Sequence, residues 1–400
     1  MSGAEQARRP DLRRRAFLGR GALALAALAS GGWVWRGCAG TGDGGRFPLG
    51  PLADTPDANG LLLPPGVRSR IVARSGQAPL AGTATLWHDA PDGGACFALP
   101  GGGWVYVSNS EVDGGLGGVG ALRFAADGAP QAAYAILQGT SRNCAGGATP
   151  WGTWLSCEEI PAGRVWECDP LGVQAAVVRP ALGVFSHEAI AADPTRRQLY
   201  LTEDRPDGRL YRFTPGVWGD LSAGTLAVAR VLAADPTAGG AVAWDAVPDP
   251  AATAMPTRQQ VPASTAFNGG EGIGYRDGAV LFTSKGDDRV WRYDAAGGTL
   301  AVLYHAASAP NPVLSGVDNL LVSGDGTVLV AEDGGDMQVV GLWADGSVAP
   351  IVQVPGQPLS EITGIAFSPD RSRFYFSSQR GSTGLSSGGV TYELSGLLLG

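Results

Sequence analysis

The segment HEAIAADPTRRQLYLTED, residues 187–204, indicates how this chain folds. Two short strands rich in apolar residues flank an Asp-Pro pair, which is typical of a turn and therefore predicts a β-hairpin. In a hairpin the beginning of the first strand lies beside the end of the second. We therefore expect His187 and Glu188 to lie next to Glu203 and Asp204, at one end of the hairpin.

The same pattern occurs six times along the sequence. In each copy an apolar strand ends in a small or hydroxyl-bearing residue that polar residues follow; these markers are Ser108, Ser156, Thr202, Thr283, Ala331 and Ser377. The intervals between them are 48, 46, 81, 48 and 46 residues. Four of the five match the roughly 40–50 residues of a propeller blade. The pattern predicts an all-β fold, a six-bladed β-propeller whose polar hairpin ends meet at one mouth of the central channel.

The long interval predicts an insertion between blades, at about residues 205–270, with strands of its own. A seven-bladed propeller, in which this insertion contains one more blade, is the alternative. Residues 63–76 and 390–394 read as the strands that close the ring. We therefore predict a single propeller domain over residues 63–400.

The composition excludes several classes of protein. The 62 glycines and 28 prolines among 400 residues argue against a long-helix bundle, while a hydrophobic fraction of 44% argues against a disordered chain. The net charge of −8 and the pI near 5.0 argue against nucleic acid as a partner and suit the binding of cations.

The N-terminal residues 1–30 read as a signal peptide. Arg14 and Arg15 precede Phe17 and Leu18, and an apolar run follows, which resembles the twin-arginine export pattern. The alternative is a membrane anchor, but the run is shorter than the ~20 residues that span a bilayer. We expect residues 31–62 to form a linker, no stable membrane span in the mature form, and a periplasmic or secreted protein whose partner is the twin-arginine export machinery. Cys38 as a lipidation site stays open.

Acidic residues recur at the predicted hairpin ends, together with one thiol. The predicted mouth collects Glu111, Cys157, Glu158, Glu159, His187, Glu188, Glu203, Asp204, Glu271, Asp318, Asn319, Glu332, Asp333 and Glu361. So many carboxylates stay ionised together only with cations among them. Oxygen ligands suit Ca²⁺, whereas a thiolate from Cys157 suits a transition metal such as iron. The alternative is a set of solvated strand ends.

Two further residue types leave alternatives open. Lys285 is the only lysine in the sequence, and its place at a predicted strand end makes it a candidate contact for an anion or a partner of Asp287. An oxidising compartment would permit a disulfide among Cys96, Cys144 and Cys168, and the sequence does not select the pair.

Two segments resemble the PhoX-type secreted alkaline phosphatases: NCAGGATPWGTWLSCEE, residues 143–159, and VFSHEAIAADPTRRQLYLTED, residues 184–204. The resemblance implies a six-bladed propeller with a buried cluster of Fe³⁺ and Ca²⁺ ions that hydrolyses phosphate monoesters. By motif, Cys157 matches the iron-binding cysteine, and Glu188 and Glu271 match glutamates of the metal site. With the recurring acids, the predicted metal ligands are Cys157, Glu158, Glu159, Glu188, Glu203, Asp204, Glu271, Glu332 and Asp333.

One position departs from the family pattern. The family has a phosphate-contacting arginine two residues before the glutamate that Glu271 matches, and this chain has Gly269 there. Lys285 and Arg258 are the predicted replacements, with Arg276 as a further candidate. The leading hypothesis is an exported metal-dependent phosphatase acting on a small phosphate ester. The alternatives are a calcium-dependent propeller lactonase and a non-catalytic, metal-binding propeller.

Overall fold

The computed structural model describes residues 49–310 and 312–397. The predicted signal peptide and Cys38 lie outside the described residues. Within the described part the chain forms 25 β-strands and no α-helix. Short 3-10 turns occur at Pro180–Leu182, Pro236–Ala238, Thr257–Gln259, Lys285–Asp287, Ala306–Ser308, Gly381–Thr383 and Ser386–Gly388. Among these residues no helix has the length and apolar character needed to cross a membrane.

Three sheets each consist of four antiparallel strands that follow one another in the chain. The first contains β2 (Pro91–Ala98), β3 (Trp104–Ser110), β4 (Gly117–Phe124) and β5 (Pro130–Thr140). The second contains β6 (Asn143–Ala148), β7 (Trp154–Glu158), β8 (Val165–Cys168) and β9 (Val177–Val178). The third contains β19 (Val317–Val322), β20 (Val328–Glu332), β21 (Gln338–Leu342) and β22 (Val348–Gln353).

A fourth four-stranded sheet joins the two ends of the described chain. Its order is β1 (Arg68–Arg74), β25 (Val390–Ser395), β24 (Arg373–Ser378) and β23 (Ile362–Phe367). The antiparallel pairing of β1 with β25 confirms that residues 63–76 and 390–394 supply the closing strands.

The remaining strands form one nine-stranded sheet, in the order 10, 11, 12, 13, 14, 18, 17, 16, 15. These strands are β10 (His187–Asp193), β11 (Gln198–Glu203), β12 (Leu210–Val217), β13 (Asp220–Val231), β14 (Gly239–Ala246), β15 (Gly270–Arg276), β16 (Ala279–Ser284), β17 (Arg289–Asp294) and β18 (Thr299–His305). Of the segment predicted as an insertion, β12 and β13 continue the sheet outward from β11. The extra length therefore lies in β14, which pairs with both β13 and β18, and in the loop that follows it.

One edge strand of each four-stranded sheet and both edge strands of the nine-stranded sheet contact one another in a closed circle: β2, β6, β10, β15, β19, β23 and again β2. Their backbones approach closely, and glycine makes this possible: a Cβ on Gly147 would lie 2.0 Å from the carbonyl oxygen of Ile190. These strands line a central cavity of about 280 Å³. Six apolar clusters fill the spaces between neighbouring sheets and between the two halves of the nine-stranded sheet. In one of these spaces the rings of Tyr106 and Tyr375 stack on each other. The fold is an all-β, propeller-like ring.

Candidate metal centre

Of the six innermost strands, which form the circle around the cavity, five begin with a β-bulge. On β10, His187 pairs with Glu203 and the next pair is Ile190 with Leu201, so the two residues between them on β10 oppose the single residue Thr202 on β11. A bulge frees one residue from the ladder and redirects its side chain. The first residues in the five bulges are Asp92, Cys144, Glu188, Glu271 and Asp318.

These five side chains meet others from the strand ends in one continuous group, which we call the acidic mouth. Its members are Asp92, Glu111, Cys144, Glu159, Glu188, Glu271, Asp318, Asp333 and Glu361. They form four overlapping sets of three, and within each set the possible ligand atoms lie within 4.8 Å of one another. Because Glu188, Asp318 and Glu361 each belong to two sets, the sets are connected. Carboxylates from distant parts of the sequence thus converge as the hairpin pattern predicted.

Burial makes this concentration of acids costly in the absence of cations. Glu188 and Glu271 are only 1% and 2% exposed. Burial, reinforced by neighbouring carboxylates, raises the pKa of both well above the ordinary glutamate value, and the same causes raise the pKa of Asp92 and Glu361. Burial raises the pKa of Glu159 to about 8, although Arg142 opposes the shift. Cations in the mouth would favour the ionised forms.

Two carboxylate oxygens of the mouth, Oε2 of Glu188 and Oε1 of Glu271, are buried without a hydrogen-bond partner among the described residues. The other oxygen of Glu188, Oε1, lies 3.4 Å from the Sγ atom of Cys144. An unsatisfied buried carboxylate oxygen is costly, and a bound cation would satisfy it. The donor set of oxygens and one sulfur therefore fits metal ions.

The thiol in the mouth is Cys144, whereas Cys157, the predicted iron ligand, lies in the core. The Sγ atom of Cys144 also lies 3.6 Å from Oδ2 of Asp92. Burial raises the pKa of the thiol, and the carboxylates of Asp92 and Glu188 raise it further. Cys157 is fully buried in an apolar cluster with Leu155 and Val165. Because side chains alternate along β7, Cys157 lies on the same face of the strand as Leu155, the face that packs in this cluster.

In three hairpins the second strand ends in a pair of acids: Glu158 and Glu159, Glu203 and Asp204, and Glu332 and Asp333. The two members of a pair have different surroundings, because consecutive residues of a strand point in opposite directions. Glu158 accepts hydrogen bonds from the backbone N–H groups of Ser141 and Arg164. Glu332 accepts equivalent bonds from Ser315 and Gln338. These carboxylates fix loops of their own sheets and lie outside the four sets, so their predicted role as metal ligands is not favoured.

Glu203, the first acid of its pair, is likewise held by partners outside the four sets. It accepts a hydrogen bond of 2.8 Å from the Tyr211 hydroxyl, and its Oε1 lies 3.5 Å from Nη1 of Arg258. The second members of the pairs, Glu159 and Asp333, belong to the mouth. Asp204 lies near enough to raise the pKa of Glu159, after the larger effect of burial.

Three cations accompany the acids. Arg142 Nη2 lies 2.6 Å from both Glu111 and Glu159. Arg380 Nη2 lies 2.9 Å from Glu361. The Nζ atom of Lys285 lies 3.1 Å from each of three carboxylates, those of Glu271, Asp318 and Asp333.

The other predicted phosphate contacts lie elsewhere. Arg258 pairs with Glu203 and, at 2.9 Å, with Asp207. Arg276 is at the far end of the β15–β16 hairpin, where it donates to the Ser323 carbonyl. Gly269 borders the mouth: a Cβ placed there would lie 3.3 Å from Oδ1 of Asp204.

Four residues of this site were not predicted from the sequence, namely Asp92, Cys144, Arg142 and Arg380. Asp92 and Cys144 begin the first strands of hairpins, the position that Glu188 occupies in its own hairpin. Extending that comparison to every repeat would have made both of them candidates, without selecting between Cys144 and Cys157. All four cysteines of the described part are free, so the disulfide that an oxidising compartment would permit among Cys96, Cys144 and Cys168 is not present in the structure.

A β-propeller whose mouth gathers buried carboxylates, one thiol and several cations defines a candidate metal-dependent hydrolase. The family model of alkaline phosphatase PhoX matches residues 104–167 and 161–276. The resemblance to PhoX phosphatases is therefore confirmed, and the match supports a phosphatase-like hydrolase. No curated protein matches the sequence significantly.

Solved structures agree on the fold. PhoX of Pseudomonas fluorescens, in complex with the transition-state analogue vanadate, has 19% identity and a TM-score of 0.73, covering 87% of this chain and 97% of its own. XC5397 of Xanthomonas campestris, described as a gluconolactonase, has 13% identity and a TM-score of 0.50, with coverages of 87% and 98%. A protein of unknown function from Bacteroides thetaiotaomicron has 10% identity and a TM-score of 0.50, with coverages of 82% and 76%. At these identities the likeness concerns the fold.

Proposed function

We propose that this chain is an exported, metal-dependent phosphatase that hydrolyses small phosphate monoesters in the acidic mouth. The observation that carries the proposal is the convergence of eight carboxylates and the Cys144 thiol on one opening, with cationic side chains among them. The PhoX family match supports the same reaction.

The donor set favours two kinds of metal ion. Carboxylate oxygens are the preferred ligands of Ca²⁺, and the Cys144 sulfur favours a softer ion such as iron. Cys144 with Glu159 and Glu188 would hold Fe³⁺, and the remaining acids would hold Ca²⁺. When bound, such ions neutralise the phosphate and stabilise the charge that develops on the transferred phosphoryl group.

The chain's own cations would bind and orient the ester. Arg380 uses one nitrogen, Nη2, for its contacts with glutamates, so its guanidinium can present other N–H groups to a phosphate oxygen. Arg142 contacts Glu111 through Nε and Nη2. We assign the phosphate contacts to these two arginines rather than to Arg258, which lies outside the acidic mouth.

The alternative functions receive less support. A calcium-dependent lactonase or a calcium-stabilised binding module would use oxygen ligands alone and gives no reason for a thiol among them. The gluconolactonase XC5397 shares the fold, and function depends on the site rather than on the fold.

We further propose that the ring has six blades and that residues 1–30 direct twin-arginine export to the periplasm or the medium. The nine-stranded sheet would then represent two blades, β10–β13 and β15–β18, joined through β14. The closed circle of the six innermost strands and the six apolar clusters support this interpretation.

The proposed function is tested by metal content and turnover on the same preparation. Protein exported by a host grown with iron and calcium should contain both metals and hydrolyse p-nitrophenyl phosphate, but not a panel of lactones. Glu188→Gln should lose metal and activity, while Asp220→Asn, which changes an exposed acid outside the mouth, should keep both. Iron-free, calcium-loaded protein that hydrolyses a lactone would overturn the proposal.

A further inference from the structure

The ammonium group of Lys285 lies where the acidic mouth would otherwise hold a cation. Its Nζ atom is 3.1 Å from Oε1 of Glu271, from Oδ2 of Asp318 and from Oδ2 of Asp333. Lysine has three N–H donors, and here three carboxylates surround them. Two of these carboxylates, those of Glu271 and Asp318, also form a candidate metal set with Glu188.

The backbone keeps Lys285 in this place. The residue follows β16 directly and begins the 3-10 turn Lys285–Asp287. Its N–H group donates to the carbonyl of Gly269 at 2.8 Å, and the next N–H, that of Gly286, donates to the carbonyl of Asn268 at 2.9 Å. With its side chain one-third exposed, Lys285 reaches the acids from a fixed turn.

We propose that Lys285 is a built-in cation of the mouth, whose ammonium takes the place of one metal ion between Glu271, Asp318 and Asp333. The inference rests on the proposed metal centre, because it assumes that the other acids bind metal. It also removes Lys285 from the candidate phosphate contacts, since three carboxylates already surround its ammonium and one of them, that of Asp333, accepts a hydrogen bond from it. The ammonium of Lys285 then compensates one negative charge of the mouth, beside those that Arg142 and Arg380 compensate.

The competing possibility is that metal ions displace the ammonium and free it to bind the ester. The two possibilities differ in what removal of the amine does. If Lys285 replaces an ion, removing its charge and volume opens a position that a divalent cation can fill. If metal displaces it, the same substitution leaves the number of bound ions unchanged.

The first test counts bound calcium after equilibrium dialysis of the exported protein, in wild type, Lys285→Ala and Lys285→Arg. We expect Lys285→Ala to bind one Ca²⁺ more per chain than wild type, and Lys285→Arg, which keeps the charge, to bind the same number as wild type. Equal numbers in wild type and Lys285→Ala would overturn the inference and leave the proposed function intact. A wild type that binds no calcium would instead overturn the metal centre itself.

The second test uses only the wild-type protein and therefore does not depend on the folding of a variant. Because the sequence contains one lysine, an amine reagent followed by peptide mass spectrometry reports on Lys285 separately from the N-terminal amine. We expect the labelling rate to be the same in calcium-loaded and chelator-treated protein, since the ammonium stays among its carboxylates. A labelling rate that rises on addition of calcium would show displacement and refute the inference.

Discussion

Substitution of Cys144 and Cys157, one at a time, distinguishes the metal centre from the apolar core. In Cys144→Ser the new hydroxyl can donate to the carboxylates that flank the sulfur, Glu188 at 3.4 Å and Asp92 at 3.6 Å. We therefore expect a change in the free energy of unfolding of less than about 1 kcal/mol. The soft donor is lost, however, so iron content and phosphatase activity should fall at least tenfold.

Cys157→Ser should have the opposite effect. Cys157 is 0% exposed and packs among Leu155, Val165 and Phe185. A hydroxyl without a partner in such surroundings costs about 1–3 kcal/mol. For a domain of this size that loss lowers the melting temperature by a few degrees. Iron content should remain that of the wild type, because the residue does not reach the acidic mouth.

The assay is the visible absorption of a ferric thiolate, measured with iron content and thermal unfolding on the same samples. We expect the absorption to vanish in Cys144→Ser and to persist in Cys157→Ser. The reverse result, with absorption lost only in Cys157→Ser, would refute the assignment of the thiol ligand and restore the choice made from the sequence.

Three further predictions follow from the charges of the site. The pKa of Glu159 rises from an ordinary 4.5 to about 8 in the metal-free fold, so its contribution to the free energy of unfolding is full below pH 4.5 and is lost between pH 4.5 and 8. The melting temperature should therefore fall as the pH rises through this range, and calcium should remove the slope. Arg380→Gln should raise the KM for p-nitrophenyl phosphate about tenfold through loss of a charge-assisted hydrogen bond, with metal content unchanged; Arg258→Gln serves as its control, and equal KM values in the two variants would contradict the assignment. Glu332→Gln should destabilise the fold by about 1–3 kcal/mol, because an amide nitrogen cannot accept one of the two backbone hydrogen bonds that the carboxylate receives; a drop in calcium content would identify Glu332 as a ligand instead.

Much of the architecture can be predicted from the sequence because it depends on local patterns. Alternating apolar strands, Asp-Pro and Asp-Gly turns and an interval near 47 residues are properties of neighbouring residues, and they predicted a ring of hairpins. The same pattern placed Glu188, Glu271 and Asp333 at one opening, because a hairpin fixes which of its ends meet. The pairing of β1 with β25 was also predictable, because these two strands lie outside the six hairpins and each therefore needs a partner.

The tertiary structure alone decided which side chain of each adjacent pair enters the mouth. In a regular strand a shift of one residue moves a side chain to the opposite face, and the bulges on the innermost strands introduce such a shift where the site forms. The bulge brings Cys144 to the carboxylates, while regular alternation on β7 leaves Cys157 in the core. A bulge depends on contacts between strands rather than on the residues within it, so the sequence determines that acids and a thiol gather at the mouth, and the folded sheets determine which ones.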